Sequence, residues 1–373
     1  MYCRTSIDDT SCASQQDHFT IDNEGNVNED IVWDFQNITK ITLFPIPDEK
    51  LIFENASVYT IVDSKDYSHK NNVEYIARGI RIERSNVELS NLEHKYLNTS
   101  KKEISVMNTS YNGFISAWDV ANVTLTDISL RAMKSKAKNN NSTYDLNLQH
   151  AVNITMVNVR IPENQLTNKS LWHVTGTNRT KNIVYDGCWL NGYDAHKGVH
   201  NLTIKNSKIG SYRVNVVGSG TLMIDNCTIQ GTNNIVALND AYGSSWNGQI
   251  VINNSHFYPN FIWDSRSDYY GSRKTSIMWY ILVEHDYGYD IYLPNIIVNN
   301  LTVYNNPDAI YIYPNDKFHS GCSEANLKYA TYYCYSGKIN RNINIPKSIT
   351  VKNIIDQNGN SLINKVLNYS IPF

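Results

Sequence analysis

The chain has 373 residues, 41% of them hydrophobic and only 18% charged, with a formal net charge of -2. That is enough apolar matter for one elongated domain or two compact ones, and no basic block points to a nucleic-acid partner. No apolar run approaches the roughly 18 residues of a membrane span.

At the N-terminus, Met1 to Thr5 lack the apolar core of a signal peptide; export would use another route, or the chain is a trimmed fragment. Residues 1–45 read as a tail and cap. Within them, Asp30 to Ile41 alternate like a strand without joining a repeat, as expected of an element covering an open core. Cys3 with Cys12, and Cys322 with Cys334, are candidate local disulfides. No CxxC occurs, so no zinc site is expected, and no cofactor.

From residue 46 to about 360 one frame recurs: two alternating apolar residues, a polar break, then two more alternating apolar residues. It is met at Leu51, Phe53, Asn55, Ala56 and Val58, then at Val87, Leu89, Asn91 and Leu92, and at Val123, Leu125, Asp127, Ile128 and Leu130. Ile154, Met156 and Asn158 repeat it, as do Ile183, Tyr185 and Gly187, Leu202, Ile204 and Asn206, and Leu222, Ile224 and Asn226. Ile250, Ile252 and Asn254, then Ile296, Val298 and Asn300, and finally Ile349, Val351 and Asn353, complete the series. Two short strands meeting at a sharp bend explain the frame, and Asn, Asp and Gly are the residue types that tolerate a left-handed backbone there. Copies lie roughly 20 to 50 residues apart, the spacing of a solenoid. The Asn-x-Ser/Thr matches at Asn122, Asn153, Asn201 and Asn226 fall at fixed places in the repeat, which favours a structural origin over glycosylation. Cys188, Ser207, Cys227 and Ser255 take equivalent inward places and read as a stack of small residues. The predicted fold is all-β: a single right-handed parallel β-helix of about ten coils with three strands each, an N-terminal cap, loop insertions and a C-terminal tail over 361–373. A β-sandwich would give no reason for the Asn column.

A third strand precedes each copy: Phe114–Val120, Tyr144–His150, Leu171–Gly176, Tyr193–Val199, Arg213–Val217 and Ile235–Asp240. With Ile115, Ala117, Leu146, Leu148, Val174, Ala195, Val214, Val216, Val236 and Leu238 inward, alternation sends their neighbours out. The outward row is then Ser116 and Trp118; Asp145, Asn147 and Gln149; His173 and Thr175; Asp194 and His196; Arg213 and Asn215; and Asn239. Coils are about 4.8 Å apart, so this row forms one polar groove suited to an extended glycan.

This coil pattern resembles the pectate-lyase-like superfamily of parallel β-helices. The stretches Tyr193 to Val199 and Asp240 to Trp246 look like β-helix proteins of phages and prophages of Gram-positive bacteria. The resemblance implies an extracellular or virion-associated tailspike or appendage that binds and cuts surface glycans, with a homotrimer as its assembly; it brings no catalytic residues. On the residues themselves, Asp194 and Asp145 are candidate acid and base. Two coil spacings, roughly 9.6 Å, suit the roughly 6.5–9.5 Å separation of an inverting glycosidase. Asp240 is the rival second carboxylate, and His173 and His196 are candidate catalytic partners. Arg213, Asn215, Asn147, Asn239, Trp118, Tyr242 and Trp246 are the candidate substrate-binding residues, with Arg213 suited to a carboxylate or to the phosphate of a teichoic-acid-like polymer. A lyase using His196 or His173 with Arg213, and a spike that binds polysaccharide without cutting it, stay open. The loops Trp263–Arg273 and Glu284–Tyr292 are candidate groove walls, and Tyr311–Tyr335 a candidate interface.

Overall fold

A computed structural model describes residues 16–62, 79–98, 100, 103–104, 114–131, 144–168, 173–239, 246–260, 275–281, 291–312, 343–344 and 348–367. Among the described residues the protein is all-β, with 22 strands in one open sheet of essentially parallel ladders and two more in a small second sheet: the fold is a parallel β-helix. By contacts it divides into two units, Asp17–Asp194 with Leu202–Tyr212, and Met1–Gln16 with Ala195–Asn201 and Arg213–Phe373.

In the first unit the chain winds over three faces. On face A the apolar pairs of the repeat stack in register, Leu51 on Val87 on Val123 on Ile154 on Ile183, and Phe53 on Leu89 on Leu125 on Met156 on Tyr185. Asn55, Asn91, Asp127 and Asn158 follow with φ of 58°, 49°, 53° and 54°, turning the chain into face B, where Ala56, Leu92 and Ile128 stack. The Asn91 amide donates to Asn55 (2.7 Å) and that of Asn158 to Asp127 (3.0 Å), a ladder running along the bend. Face C stacks Ile80, Ile115, Leu146 and Thr175, and beside them Ile82, Ala117, Leu148 and Thr177.

Two further columns of left-handed residues mark the other side of the coil. Asn86, Asn122, Asn153 and Asn182 open face A with φ between 53° and 58°. Asn122 donates to Asn86, and Asn182 to Asn153, each at 3.0 Å, so the Asn122 and Asn153 sequons belong to a ladder. Asp119, His150 and Arg179 close face C with φ of 54°, 53° and 51°, a conformation uncommon for such side chains. They are linked to one another: His150 Nδ1 lies 3.0 Å from Asp119 Oδ1, and Arg179 Nη1 lies 3.3 Å from His150 Nε2. Replacing Asn158 by alanine removes a ladder bond and places a Cβ-bearing residue without a local polar side chain in the left-handed region. The expected loss is about 1–2.5 kcal/mol, read as a lower midpoint in urea.

Residues 17–32 lie against this corner. Asp17 pairs with Lys181 at 2.5 Å, both side chains 4% exposed; Glu29 accepts from Asn153 (2.8 Å), and His18 stacks on His150 at 4.7 Å. Over 30–41 no strand forms, and Ile38 and Ile41 are 69% and 73% exposed. In the first coil Leu51 and Phe53 are 47% and 43% exposed, whereas their stacking partners Val87 and Leu89 are 3% and 2%. The first coil has no apolar cover among the described residues.

The second unit repeats the plan. Leu222, Ile250, Ile296 and Ile349 stack on face A, beside Ile224, Ile252, Val298 and Val351. Its bend residues Asn226, Asn254, Asn300 and Asn353 have φ of 50°, 47°, 53° and 52°, and Asn353 donates to Asn300 and Asn300 to Asn254. Val214, Val236 and Met278 stack on face C. In each unit the predicted small inward pair is present: the Cys188 N–H donates to Ser207 Oγ (3.0 Å) and that of Cys227 to Ser255 Oγ (3.1 Å). Both thiols are buried and outside any disulfide, and desolvation pushes that of Cys188 up to about 12, so Cys188 is an inert core group.

Candidate functional site

In the first unit the outer side of face C carries Ser116, Asn147 and Gly176 in one row and Trp118, Gln149 and Asn178 in the next. Gln149 Nε2 donates to Asn147 Oδ1 at 2.7 Å, fixing two amides as one polar unit. The Arg81 guanidinium sits 5.2 Å from the Trp118 ring centre.

Asp194 belongs to this outer side. The preceding Tyr193 turns inward, its ring edge-on to Tyr185 at 4.8 Å and its hydroxyl 3.4 Å from the Cys188 carbonyl oxygen, so alternation sends Asp194 to the outer side, where it is not open to solvent as expected but only 5% exposed. There the Tyr144 hydroxyl donates to Asp194 Oδ2 at 2.6 Å, a short bond typical of a phenol to a carboxylate. Gly176 makes this reach possible. A Cβ at residue 176 would meet the Tyr144 ring carbons at 2.4 to 2.5 Å; with hydrogen instead, the ring crosses the strand and arrives at Asp194. Gly176→Ala is therefore expected to displace the Tyr144 ring and break its bond to Asp194, read as a change in the near-ultraviolet circular dichroism of the tyrosines; an unchanged spectrum would detach the ring's position from Gly176.

The expected open row is altered in several places. Asp145 is 1% exposed and does not face Asp194. Phe114, Asp145 and Val174 hold the corner position just before face C, as the bonds from Ile115 N to Asp145 O and from Leu146 N to Val174 O record. At that corner side chains enter the core: Phe114 stacks on His94 at 4.1 Å, and Asp145 Oδ1 accepts from the Tyr96 hydroxyl at 3.4 Å. Burial pushes the Asp145 carboxyl well above the usual carboxylate range. His173 also lies before its strand, which begins at Thr175. Its ring is 4.8 Å from that of Tyr212, and it is 3% exposed. Thr175, expected outside, is inside, sharing a 2.9 Å hydrogen bond with the Tyr185 hydroxyl.

In the second unit Arg213 is 3% exposed at a bend with φ 50°, its Nε donating to Asn215 Oδ1 at 3.3 Å. Asn215 and His196 are half-buried. Trp246 is fully buried, its indole N–H directed to the Gly220 and Gln249 carbonyls; it is core and not a sugar platform. Asn239 lies on a strand beside Ile281. Asp240, Tyr242, loop 263–273, residues 284–290 and 313–335, and Cys3, Cys12, Cys322 and Cys334 lie outside the described residues.

Tyr144 and Gly176 were not read as functional from sequence. The available signal was Gly176 itself, since glycine inside a strand marks a close approach by another group. Among the described residues no cluster of three His, Cys, Asp or Glu side chains is placed to hold a metal ion, and no helix is long and apolar enough to cross a membrane. No family model, curated protein or solved structure matches the chain.

Proposed function

We propose that the protein binds and cleaves an extended glycan of a bacterial surface or cell wall along the outer side of face C, with Asp194 as the catalytic carboxylate. In this reading it belongs to an extracellular or virion-borne tailspike or appendage. The observation that carries the proposal is the Tyr144–Asp194 bond at 2.6 Å. It holds one carboxylate oxygen in place on the face whose other strands carry the Asn147–Gln149 amide pair and Trp118, groups suited to sugar hydroxyls and ring faces. A glycosidase needs a second carboxyl. Asp145 faces the core, which leaves Asp240 as the sequence candidate. The inward turn of Asp145 also favours a second reading, glycan binding without cleavage. Incubation with capsules, teichoic acids and pectins, read by reducing ends, phosphate and the ultraviolet absorbance of unsaturated uronates, tests the proposal. Reducing ends without new absorbance are expected. Binding of an intact polymer would leave only the second reading, and neither binding nor cleavage would remove both.

A further inference from the structure

Residues 17–32 add nothing to the coil ladders. A single antiparallel bridge, Ile21 with Val27, makes them a small hairpin of their own. Polar contacts hold this hairpin to the corner where face C ends and face A begins: Asp17 on Lys181, the Lys181 ammonium on the Asp30 carbonyl, and the Asn153 amide on Glu29. Its apolar side chains Phe19, Ile21 and Val27 stay 41% to 44% exposed, so apolar burial adds little to the docking.

A pair of histidines lies within this contact. The His18 ring stacks on that of His150, with centres 4.7 Å apart and planes within 14°. His18 Nε2 is buried and has no hydrogen-bond partner among the described residues. His150 has its proton fixed. Arg179 can only donate, so its Nη1 leaves His150 Nε2 as the acceptor at 3.3 Å, and His150 Nδ1 carries the hydrogen that Asp119 accepts at 3.0 Å.

Four ionisable groups therefore face His18: Asp17 on its own segment, and Asp119, His150 and Arg179 on three successive coils of the corner. The two carboxylates favour a proton on His18. Burial, then His150, then Arg179 oppose it, and together they hold the docked ring down to about 4. Lifted into water, the same ring takes its proton near 6.5. The docking that this difference supplies is whole above 6.5 and is lost as pH falls toward 4.

We infer that residues 17–32 are an acid-opened clasp: a proton on His18, set against His150 and Arg179, lifts the segment and uncovers the His150 ring, which stands edge-on to Trp118 at 6.5 Å. Acid thereby opens the margin of face C beside Trp118. The clasp works whatever face C binds.

Amide exchange of the full chain tests it. The reporters are Val32 N–H, which donates to Asp17 Oδ2 at 2.7 Å, and Asn28 N–H, which donates to the Thr20 carbonyl at 3.0 Å. Corrected for the intrinsic effect of pH on exchange, their opening constants should rise about thirtyfold from pH 7.5 to 5. Dilute urea should barely change them, because a local opening exposes little surface. His18→Phe keeps a ring on His150 without the titration, and its reporters should stay protected at both pH values. A flat response in the wild type, an equal rise or an open segment in His18→Phe, or openings as sensitive to urea as global unfolding would each overturn the clasp.

Discussion

Asp194→Asn is expected to lower glycan cleavage by about 10²- to 10⁴-fold, the range that a positioned acid–base side chain contributes, with little change in melting temperature. The amide keeps the size of the carboxylate and an oxygen to accept from the Tyr144 hydroxyl, so the contact at 2.6 Å loses charge more than geometry. Binding of the polymer should persist, because Asn147, Gln149 and Trp118 are untouched. Tyr144→Phe is the companion change. It keeps the ring over Gly176 and removes only the donor, and a loss of about tenfold, within what one hydrogen bond to a charged group supplies, is expected. Cleavage retained in full by the asparagine variant would strike Asp194 from the mechanism and leave the binding reading in its place.

The second large effect is on stability against pH, and its sign differs between groups. Burial holds His94 down to about 3, with Arg131 adding to it. Burial likewise holds His18 down to about 4, with His150 and Arg179 acting in the same direction against Asp119 and Asp17. Unfolded, both titrate near 6.5. Between 6.5 and those folded values the unfolded chain binds more protons, so stability is present above 6.5 and is lost as pH falls. By pH 5 each group removes about 2 kcal/mol, for His18 from the docking of residues 17–32 and for His94 from the core. Asp145 runs the other way. Its folded form holds a proton that the unfolded carboxylate releases above about 4, so its burial costs increasingly more as pH rises. Urea titrations of wild type, His94→Phe and Asp145→Asn at pH 7.5 and 5 separate the two. His94→Phe should flatten the acid loss. Asp145→Asn, which keeps an acceptor for the Tyr96 hydroxyl, should be more stable than wild type at pH 7.5, with the advantage shrinking toward acid. An Asp145→Asn chain less stable than wild type at pH 7.5 would contradict a carboxyl whose burial is costly.

The coil frame was legible because it needs only local rules. Alternation in Leu51 to Phe53 or Ile250 to Ile252 gives strands, and an Asn column between them gives the bend. The third strand was harder to place. Its inward row includes Thr175 and Thr177, and Val174 at the corner offered a false anchor; a shift of one residue then turned every side chain of that strand over. Asp145 and Arg213 were misplaced for a related reason. Corner residues obey no alternation, and whether they enter the core depends on what the neighbouring face presents, here Tyr96 and His94 for Asp145. Asp194 kept its side because Tyr193 and Ala195, both suited to the core, flank it. Of the second Asn column, Asn122 and Asn153 were read as fixed places in the repeat, whereas Asn86 and Asn182, which lack the Ser or Thr two residues on, were not singled out.

The first coil, without apolar cover among the described residues, has a consequence for endurance. In a stack held by nearest-neighbour couplings each layer is secured from two sides, except the outermost. Leu51 and Phe53, with water on one flank, therefore belong to the layer that frays soonest, and amide exchange there should outpace that of Ile154 or Ile183. The strand carrying Gly176 sits several layers in, so a chain worn at its margin keeps the ground on which Tyr144 rests.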